Sequence, residues 1–474
     1  MTLLPLLFVI ACDGASSKDA GGDSSTDDTG SVDDTAVDTG DSPVDTGETN
    51  GDSLALDVEA EISAYINTVV IVRWRTATAT TGRVEFGEST AYGMSTPSTA
   101  SGTDHEVFLL GMPADTEVHF RVVVEGSEGE SPTSDHTIST LSLPSGMPQF
   151  VVSGTVTDQW QFQVIPPQGT AAVVTILDRQ GRIVWYYLPE AGGNLMKAIL
   201  THDRQHVLLG HAGPQDALDT SQLTWISLDG SEVTSLPAPY FDHDLVELPG
   251  GNVGLIVVEE RTLDDGRKWA ADRLVELATD GTQTEIWNAW ESIDPEGLGL
   301  EGTSNWTHGN GIEYEASEDC YYLSMKEIGS IAKISRSTGE THWLLNGKLN
   351  EFAFADGAEV GAMQHQFEIL EPGHLLIFDN GAQTRGYSRA VELQLDESAM
   401  TAEQLWEYVR VPPVYVYAKG DVQRFGDGST QVTWSTSGEM QLVSEAGTLL
   451  WQLNADLGQA LTFVQPVESL YVAE

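Results

Sequence analysis

Residues 174–185 read VTILDRQGRIVW: two hydrophobic runs joined by a turn that carries Asp and Gly, the second run ending in tryptophan. The unit returns, usually with the closing tryptophan, at 223–233 (LTWISLDGSEV), 274–287 (LVELATDGTQTEIW), 331–343 (IAKISRSTGETHW), 390–406 (AVELQLDESAMTAEQLW) and 440–451 (MQLVSEAGTLLW), the copy at 223–233 being the one without it. Its turn glycines Gly181, Gly230, Gly281 and Gly339 lie 49, 51 and 58 residues apart, and two further periods lead to Gly447. Hydrophobic runs around such a turn read as a β-hairpin. A second set of hairpin-like runs lies between the first: 197–210 (KAILTHDRQHVLLG), 243–258 (HDLVELPGGNVGLIVV), 308–324 (HGNGIEYEASEDCYYLS), 365–378 (HQFEILEPGHLLIF) and 421–435 (DVQRFGDGSTQVTWS). Two hairpins make one four-stranded sheet, and a period of about fifty residues is that of propeller blades. Six units predict an all-β, six-bladed β-propeller over residues 148–474. A β-solenoid would show shorter repeats and fewer long loops.

Ahead of the repeats the chain changes character twice. It opens with MTLLPLLFVIA, an apolar run far too short to span a bilayer, which reads as a secretory signal although no Lys or Arg precedes it. Val9-Ile10-Ala11-Cys12 resembles a bacterial lipobox, so residues 1–12 are expected to form a lipoprotein signal peptide with Cys12 as the lipidated residue. Residues 13–53 are almost entirely Asp, Thr, Ser and Gly, with no aromatic. Such a segment cannot bury enough apolar surface to offset its ordering entropy, and a disordered acidic tether is expected. The expected location is the cell envelope, on the periplasmic or outer-membrane surface face, with membrane contact through the lipid alone.

The formal net charge of −50 is not confined to the tether, which holds twelve of the 72 acidic residues. A folded part this acidic repels polyanions, which argues against nucleic acid or anionic lipid as a principal partner. Cys12 and Cys320 are the only cysteines, so no intrachain disulfide is expected, and Cys320 reads as a small buried side chain. Residues 54–142 show short alternating strands (VVIVRWRT, GRVEFG, DHEVFLLG, EVHFRVVVEG), the pattern of a small β-sandwich. With Trp74, Tyr92-Gly93 and the stretch LLGMPADTEVHFRV, this segment resembles a fibronectin type III-like domain, expected to act as a spacer or docking module.

The second hairpin set carries chemistry. His243, His308 and His365 each open a strand-like run in a different repeat, and a closed ring would bring such equivalent positions together. Phe241-Asp242-His243-Asp244, the run from Asn305 to Asn310 (NWTHGN) followed by Tyr322-Leu323-Ser324-Met325-Lys326, Gln364-His365 followed by Phe378-Asp379-Asn380-Gly381, and Tyr387-Ser388-Arg389 resemble, in order, motifs of bacterial arylsulfate sulfotransferases. The resemblance runs from about residue 148 to the end. It implies transfer of a sulfuryl group from a phenolic sulfate ester to a phenol through a sulfohistidine, with no nucleotide donor (PAPS), metal or other cofactor. His365 would be the nucleophile, His308, His243 and Asn310 its partners, and Lys326 stands where the family has arginine. Trp306 and Tyr387, with Tyr415 and Tyr417, would suit an aryl ligand. Ser388-Arg389 reads as a strand start whose arginine packs against neighbours, and Asp379-Asn380-Gly381 as a tight turn shaping the loop after the His365 hairpin.

Neutral imidazole is a competent nucleophile near neutral pH, and a dispersed sulfonate charge needs cations around it. Lysine keeps that charge but loses the planar fork that grips two oxygens, so weakened or altered donor use, or binding without turnover, is expected. Two further readings stand beside this one. The propeller could be a non-catalytic, lipid-anchored binding module, or the three histidines could hold zinc with an open fourth position, as in a metal-dependent hydrolase.

Overall fold

The structure, a computed structural model, describes residues 54–155, 160–166, 173–189, 194–300, 305–355, 363–381, 385–455 and 461–472. The expected signal peptide, the expected lipidation site at Cys12 and the expected tether at 13–53 lie outside the described residues. Six antiparallel sheets form the predicted propeller. From the inside outward, blade 2 comprises Asn194–Leu200, His206–Ala212, Gln222–Ser227 and Val233–Pro237, and blade 3 comprises Phe241–Glu247, Val253–Thr262, Lys268–Leu277 and Gln283–Asn288. Blade 4 follows with Gly309–Glu315, Cys320–Met325, Ser330–Ser335 and Thr341–Leu345. Blade 5 has Phe367–Glu371, His374–Asp379, Arg389–Asp396 and Thr401–Tyr408, with Ala353–Phe354 added in parallel at the edge. Blade 6 has Asp421–Arg424, Thr430–Trp434, Glu439–Val443 and Leu449–Ala455.

Blade 1 shows how the ring closes. Its two outer strands, Val174–Asp178 and Ile183–Tyr187, are the hairpin of the opening repeat, but its inner pair joins Phe162–Ile165 to the C-terminal Gln465–Val467. This explains why six tryptophan-type hairpins have only five of the other kind: the sixth is assembled from the two ends of the propeller sequence. A second closure adds Phe150–Gly154 to the outer edge of blade 6. The hairpins with tryptophan are therefore the outer halves of the blades, and the hairpins with histidine are the inner halves that face the channel. Inner strands of successive blades run side by side around that channel.

The outer tryptophans bind blade to blade. The indole N–H of Trp185 donates to the Leu228 carbonyl of blade 2, that of Trp287 to Thr341 Oγ1 of blade 4, that of Trp406 to the Glu445 carbonyl of blade 6, and that of Trp451 to the Arg179 carbonyl of blade 1. Large aromatic area closes each gap, and the ring nitrogen fixes its partner. Cys320 is buried in blade 4, as expected.

Residues 55–139 form seven strands in which the long Val70–Gly87 serves two sheets. Its first half pairs with Ala55–Ile62 and Gly102–Leu109, its second with Glu117–Gly126, and the two halves enclose Val72, Trp74, Val84, Phe86, Phe120 and Val122. This module is fastened to blade 1 rather than tethered to it. Ile66, Val69 and Leu110 share a buried cluster with blade 1, Thr68 Oγ1 donates to the Val184 carbonyl, and Tyr471 Oη accepts from Leu110 N and donates to the Phe108 carbonyl, both at 2.8 Å.

Candidate active site

The histidines are aimed by irregularities at the starts of the inner strands. In Phe241–Glu247 the register passes from Phe241↔Val257 to Leu245↔Leu255, so residues 242–244 bulge. His243 takes a left-handed conformation there, at φ 62°. His308 lies one residue ahead of Gly309–Glu315 at φ 51°, and that strand is also out of register between Gly309 and Gly311. Left-handed backbone costs a non-glycine residue about 1 kcal/mol or more, and bulges re-aim side chains beside functional sites. The result is that the two rings meet, with centroids 4.7 Å apart and planes tilted by 58°.

Buried polar groups hold these positions. Asp272, in the third strand of blade 3, accepts from Thr307 Oγ1, from the Gly309 N–H and, at 3.1 Å, from Asn305 Nδ2. Asn305 Oδ1 in turn accepts from the His308 N–H at 2.9 Å. His365, two residues before Phe367–Glu371, is 4 % exposed and its Nδ1 lies 2.8 Å from Asn380 Oδ1. Asn380 Nδ2 donates to the carbonyls of Val416 and Lys419 at 2.9 and 2.7 Å. Asn310 is held within the fold: its Nδ2 donates to the Gln364 carbonyl at 2.9 Å, and its Oδ1 accepts from the Ser324 hydroxyl at 2.8 Å.

Lys326 follows the second strand of blade 4, its N–H on the His308 carbonyl and its ammonium 3.0 Å from Glu327 Oε1. That same carboxylate oxygen stands 3.9 Å from His308 Nδ1. Electrostatics shows the four groups to be one cluster. Burial pulls His365 down to about 3, the Asn380 hydrogen bond opposes this, and the charges of Lys326 and His243 push further down. Burial also drives His308 well below its ordinary value, reinforced by His243, Lys326 and His365. His243 goes the other way: burial would lower it, but Asp242 at 3.0 Å and the more distant Asp272 outweigh both burial and Lys326. The site therefore offers two neutral imidazoles beside two groups that favour positive charge.

The three histidines and Lys326 thus lie near one another, and Asn310 supports the strand start of His365. Trp306 does not form a wall of the cluster: it is fully buried in the core of blades 3 and 4, its ring edge-on to Trp290 at 5.5 Å. Tyr387 is half-buried under the Arg385 guanidinium, and Tyr417 is exposed on the connection between blades 5 and 6. Arg389 packs as the sequence suggests, on Asp379 and Glu407. Among the described residues no three His, Cys, Asp or Glu side chains are placed as a metal-binding set, so the three-histidine zinc arrangement finds no matching geometry there. Asp272 and Glu327 were not singled out from sequence, and Asn380 was read only as part of a turn.

Residues 156–445 match the family profile of arylsulfotransferase (ASST). The chain is 26% identical over 248 residues to the arylsulfate sulfotransferase AssT of Escherichia coli O6:H1, and 24% identical over 253 residues to that of Lelliottia amnigena. Each match covers 36% of this chain and 41% of the relative, so the chain spans less than half the length of these relatives. Among solved structures, a protein of unknown function from Bacteroides caccae aligns with 65% of this chain and all of its own at 15% identity and a TM-score of 0.41.

Proposed function

Because this chain belongs to the arylsulfotransferase family, we propose that it moves a sulfuryl group from a phenolic sulfate ester to a phenol, with His365 as nucleophile. The observation that carries this reading is the state of His365: buried, held at about 3 and therefore neutral at pH 7, in the field of Lys326 and His243. An imidazole nitrogen attacks sulfur, the bond from sulfur to the aryl oxygen breaks, and the phenolate departs with the electron pair. The acceptor phenol then attacks the same sulfur as it gives up its proton, and the nitrogen–sulfur bond returns its pair to the ring. Such transfers pass through loose transition states with charge spread over the equatorial oxygens, so positioning and cations supply most of the acceleration.

Lys326 is the cation, and His243, whose affinity for a proton Asp242 raises, adds positive charge whenever it carries one. His243 holds its proton more tightly than usual, which suits it to protonate the departing phenolate, and neutral His308 against it can take the acceptor's proton and hand it back to His243, restoring both rings for the next turnover. Asn310 acts as a positioning residue through the Gln364 carbonyl. Neither step calls for a nucleotide donor or a metal.

One observation favours the binding-only alternative: the Lys326 ammonium is already paired with Glu327. The two readings separate on release of 4-nitrophenol from its sulfate ester. Release is expected to require an added phenol and to fall by orders of magnitude in His365→Ala. Equal release by that variant would remove His365 from the nucleophile's role, and no release by the wild type would leave the site a binding site.

A further inference from the structure

Asn380 stands fifteen residues after His365 and is 1 % exposed. An amide placed against an imidazole can present either its oxygen or its nitrogen, and the choice dictates which ring nitrogen carries the proton. Here the surroundings decide. Asn380 Nδ2 spends both its hydrogens on two carbonyls, Val416 and Lys419, and turning the amide over would set its oxygen against both of those acceptors. The oxygen therefore faces His365 Nδ1 at 2.8 Å, and an oxygen that can only accept requires Nδ1 to donate.

We propose that Asn380 is the positioning residue that fixes His365 as the Nδ1–H tautomer, leaving Nε2 as the atom that attacks sulfur. The inference rests on His365 being the nucleophile and adds which of its atoms reacts and what holds it. When Nε2 forms its bond to sulfur the ring becomes positively charged, and the Asn380 oxygen at Nδ1–H lies where that charge develops, so it is worth more in the transition state than before it. The grip on Asn380 reaches further than the residue itself. Its own carbonyl accepts from Ser388 Oγ at 2.9 Å, and that hydroxyl accepts from the Val416 N–H at 2.9 Å. The connection between blades 5 and 6, which carries exposed Tyr417 at the same segment, is thus tied to the orientation of the nucleophile.

The test has a structural and a kinetic arm, both on the full chain. In the first, 15N NMR of histidine-labelled protein, with the His365 signals identified by their loss in His365→Ala, is expected to show a protonated Nδ1 and a bare Nε2 at pH 7. The opposite tautomer overturns the proposal, whether or not the protein transfers sulfate, so this arm fails separately from the sulfotransferase reading. In the second, Asn380→Ala is expected to lower kcat by about 10- to 100-fold with little change in KM, the cost typical of losing the hydrogen-bond partner that orients a metal-bound histidine. Asn380→Asp would place a carboxylate on Nδ1 and raise the imidazole's proton affinity, moving the acid limb of the kcat profile to higher pH. A merely structural asparagine would not move that limb. An unmoved limb in Asn380→Asp with near-UV circular dichroism like that of the wild type sinks the proposal even if Asn380→Ala fails to fold.

Discussion

Lys326 carries the open question at the scale of single residues, because its ammonium meets the carboxylate of its own neighbour before it meets any substrate. A compact ammonium shared between Glu327 and a sulfonate grips one oxygen where a guanidinium grips two. Lys326→Arg is therefore expected to raise kcat/KM for an aryl sulfate by about tenfold, the worth of one added charge-assisted hydrogen bond of about 1.5 kcal/mol. Glu327→Gln should act in the same direction by releasing the ammonium. If steady-state kinetics shows neither change, Lys326 is not the donor's cation. The residues of this site differ in how far the sequence reveals them, and the reason is physical. The three histidines and Lys326 stand in local motifs at strand starts, so neighbours announce them. Asp272 does its holding across 35 residues to Thr307, inside an ordinary-looking hydrophobic strand, and no local signal marks it. Trp306 illustrates the converse, since an aromatic beside a reactive histidine was available to pack the core instead of the ligand.

The blade repeat was legible because each outer hairpin must bury one face against the next blade, and the sequence repeats that demand every fifty residues or so. What the repeat hid was its own interruption. The inner pair of blade 1 joins strands from both ends of the propeller, and a three-residue closing strand such as Gln465–Val467 has no periodicity to read. The fastening of the N-terminal module through Ile66, Leu110 and Tyr471 was equally invisible, because it depends on single contacts between segments hundreds of residues apart. The recurring tryptophans, seen first as a mark of the repeat, prove to be its inter-blade staples, and they are not equivalent. Trp451 is fully buried and donates to Arg179 of blade 1, whereas the buried Trp343 N–H has no partner and its ring rests on Tyr322 and Phe352. Trp451→Phe removes a donor that holds the Arg179 carbonyl of the next blade, while Trp343→Phe removes an unpaired donor. In urea unfolding Trp451→Phe is expected to cost at least about 1 kcal/mol more than Trp343→Phe. Equal costs would mean that the staples act through area alone.

At the scale of the whole molecule, part of the acidity behind the chain's charge of −50 is buried among the inner strands of the blades. Lys197, Glu313, Gln366 and Asp421 line a cavity of about 170 Å³ there, with Lys197 bonded to Asp244 at 2.7 Å. Burial, reinforced by the surrounding carboxylates, raises Glu313 to about 8, Glu368 to about 7 and Asp421 to about 6, although Lys197 pulls on Glu313 and Asp421. Folded-state values above the unfolded ones mean that the native protein binds protons the unfolded chain has already released. The stability these carboxyls contribute is therefore complete below pH of about 4.5 and is lost as pH rises to about 8, at up to about 1.4 kcal/mol per pH unit for each excess proton. His365, held at about 3, works in the opposite sense, contributing stability that is present above its ordinary value near 6.5 and lost on acidification toward 3. The melting temperature should accordingly peak on the acid side of neutrality and fall as pH rises from about 4.5 to about 8, with the share of Asp421 gone by about 6, that of Glu368 by about 7 and that of Glu313 by about 8. Repulsion among surface carboxylates would also disfavour the native state, but it is screened at about 1 M salt, where the Debye length is about 3 Å, and the buried channel is screened far less. Thermal melts at that ionic strength should retain the decline in the wild type and show it flattened in Glu313→Gln, which fixes the neutral form that the folded protein prefers. A decline that vanishes with salt, or one that Glu313→Gln leaves as steep, would place its origin on the surface and not in the channel.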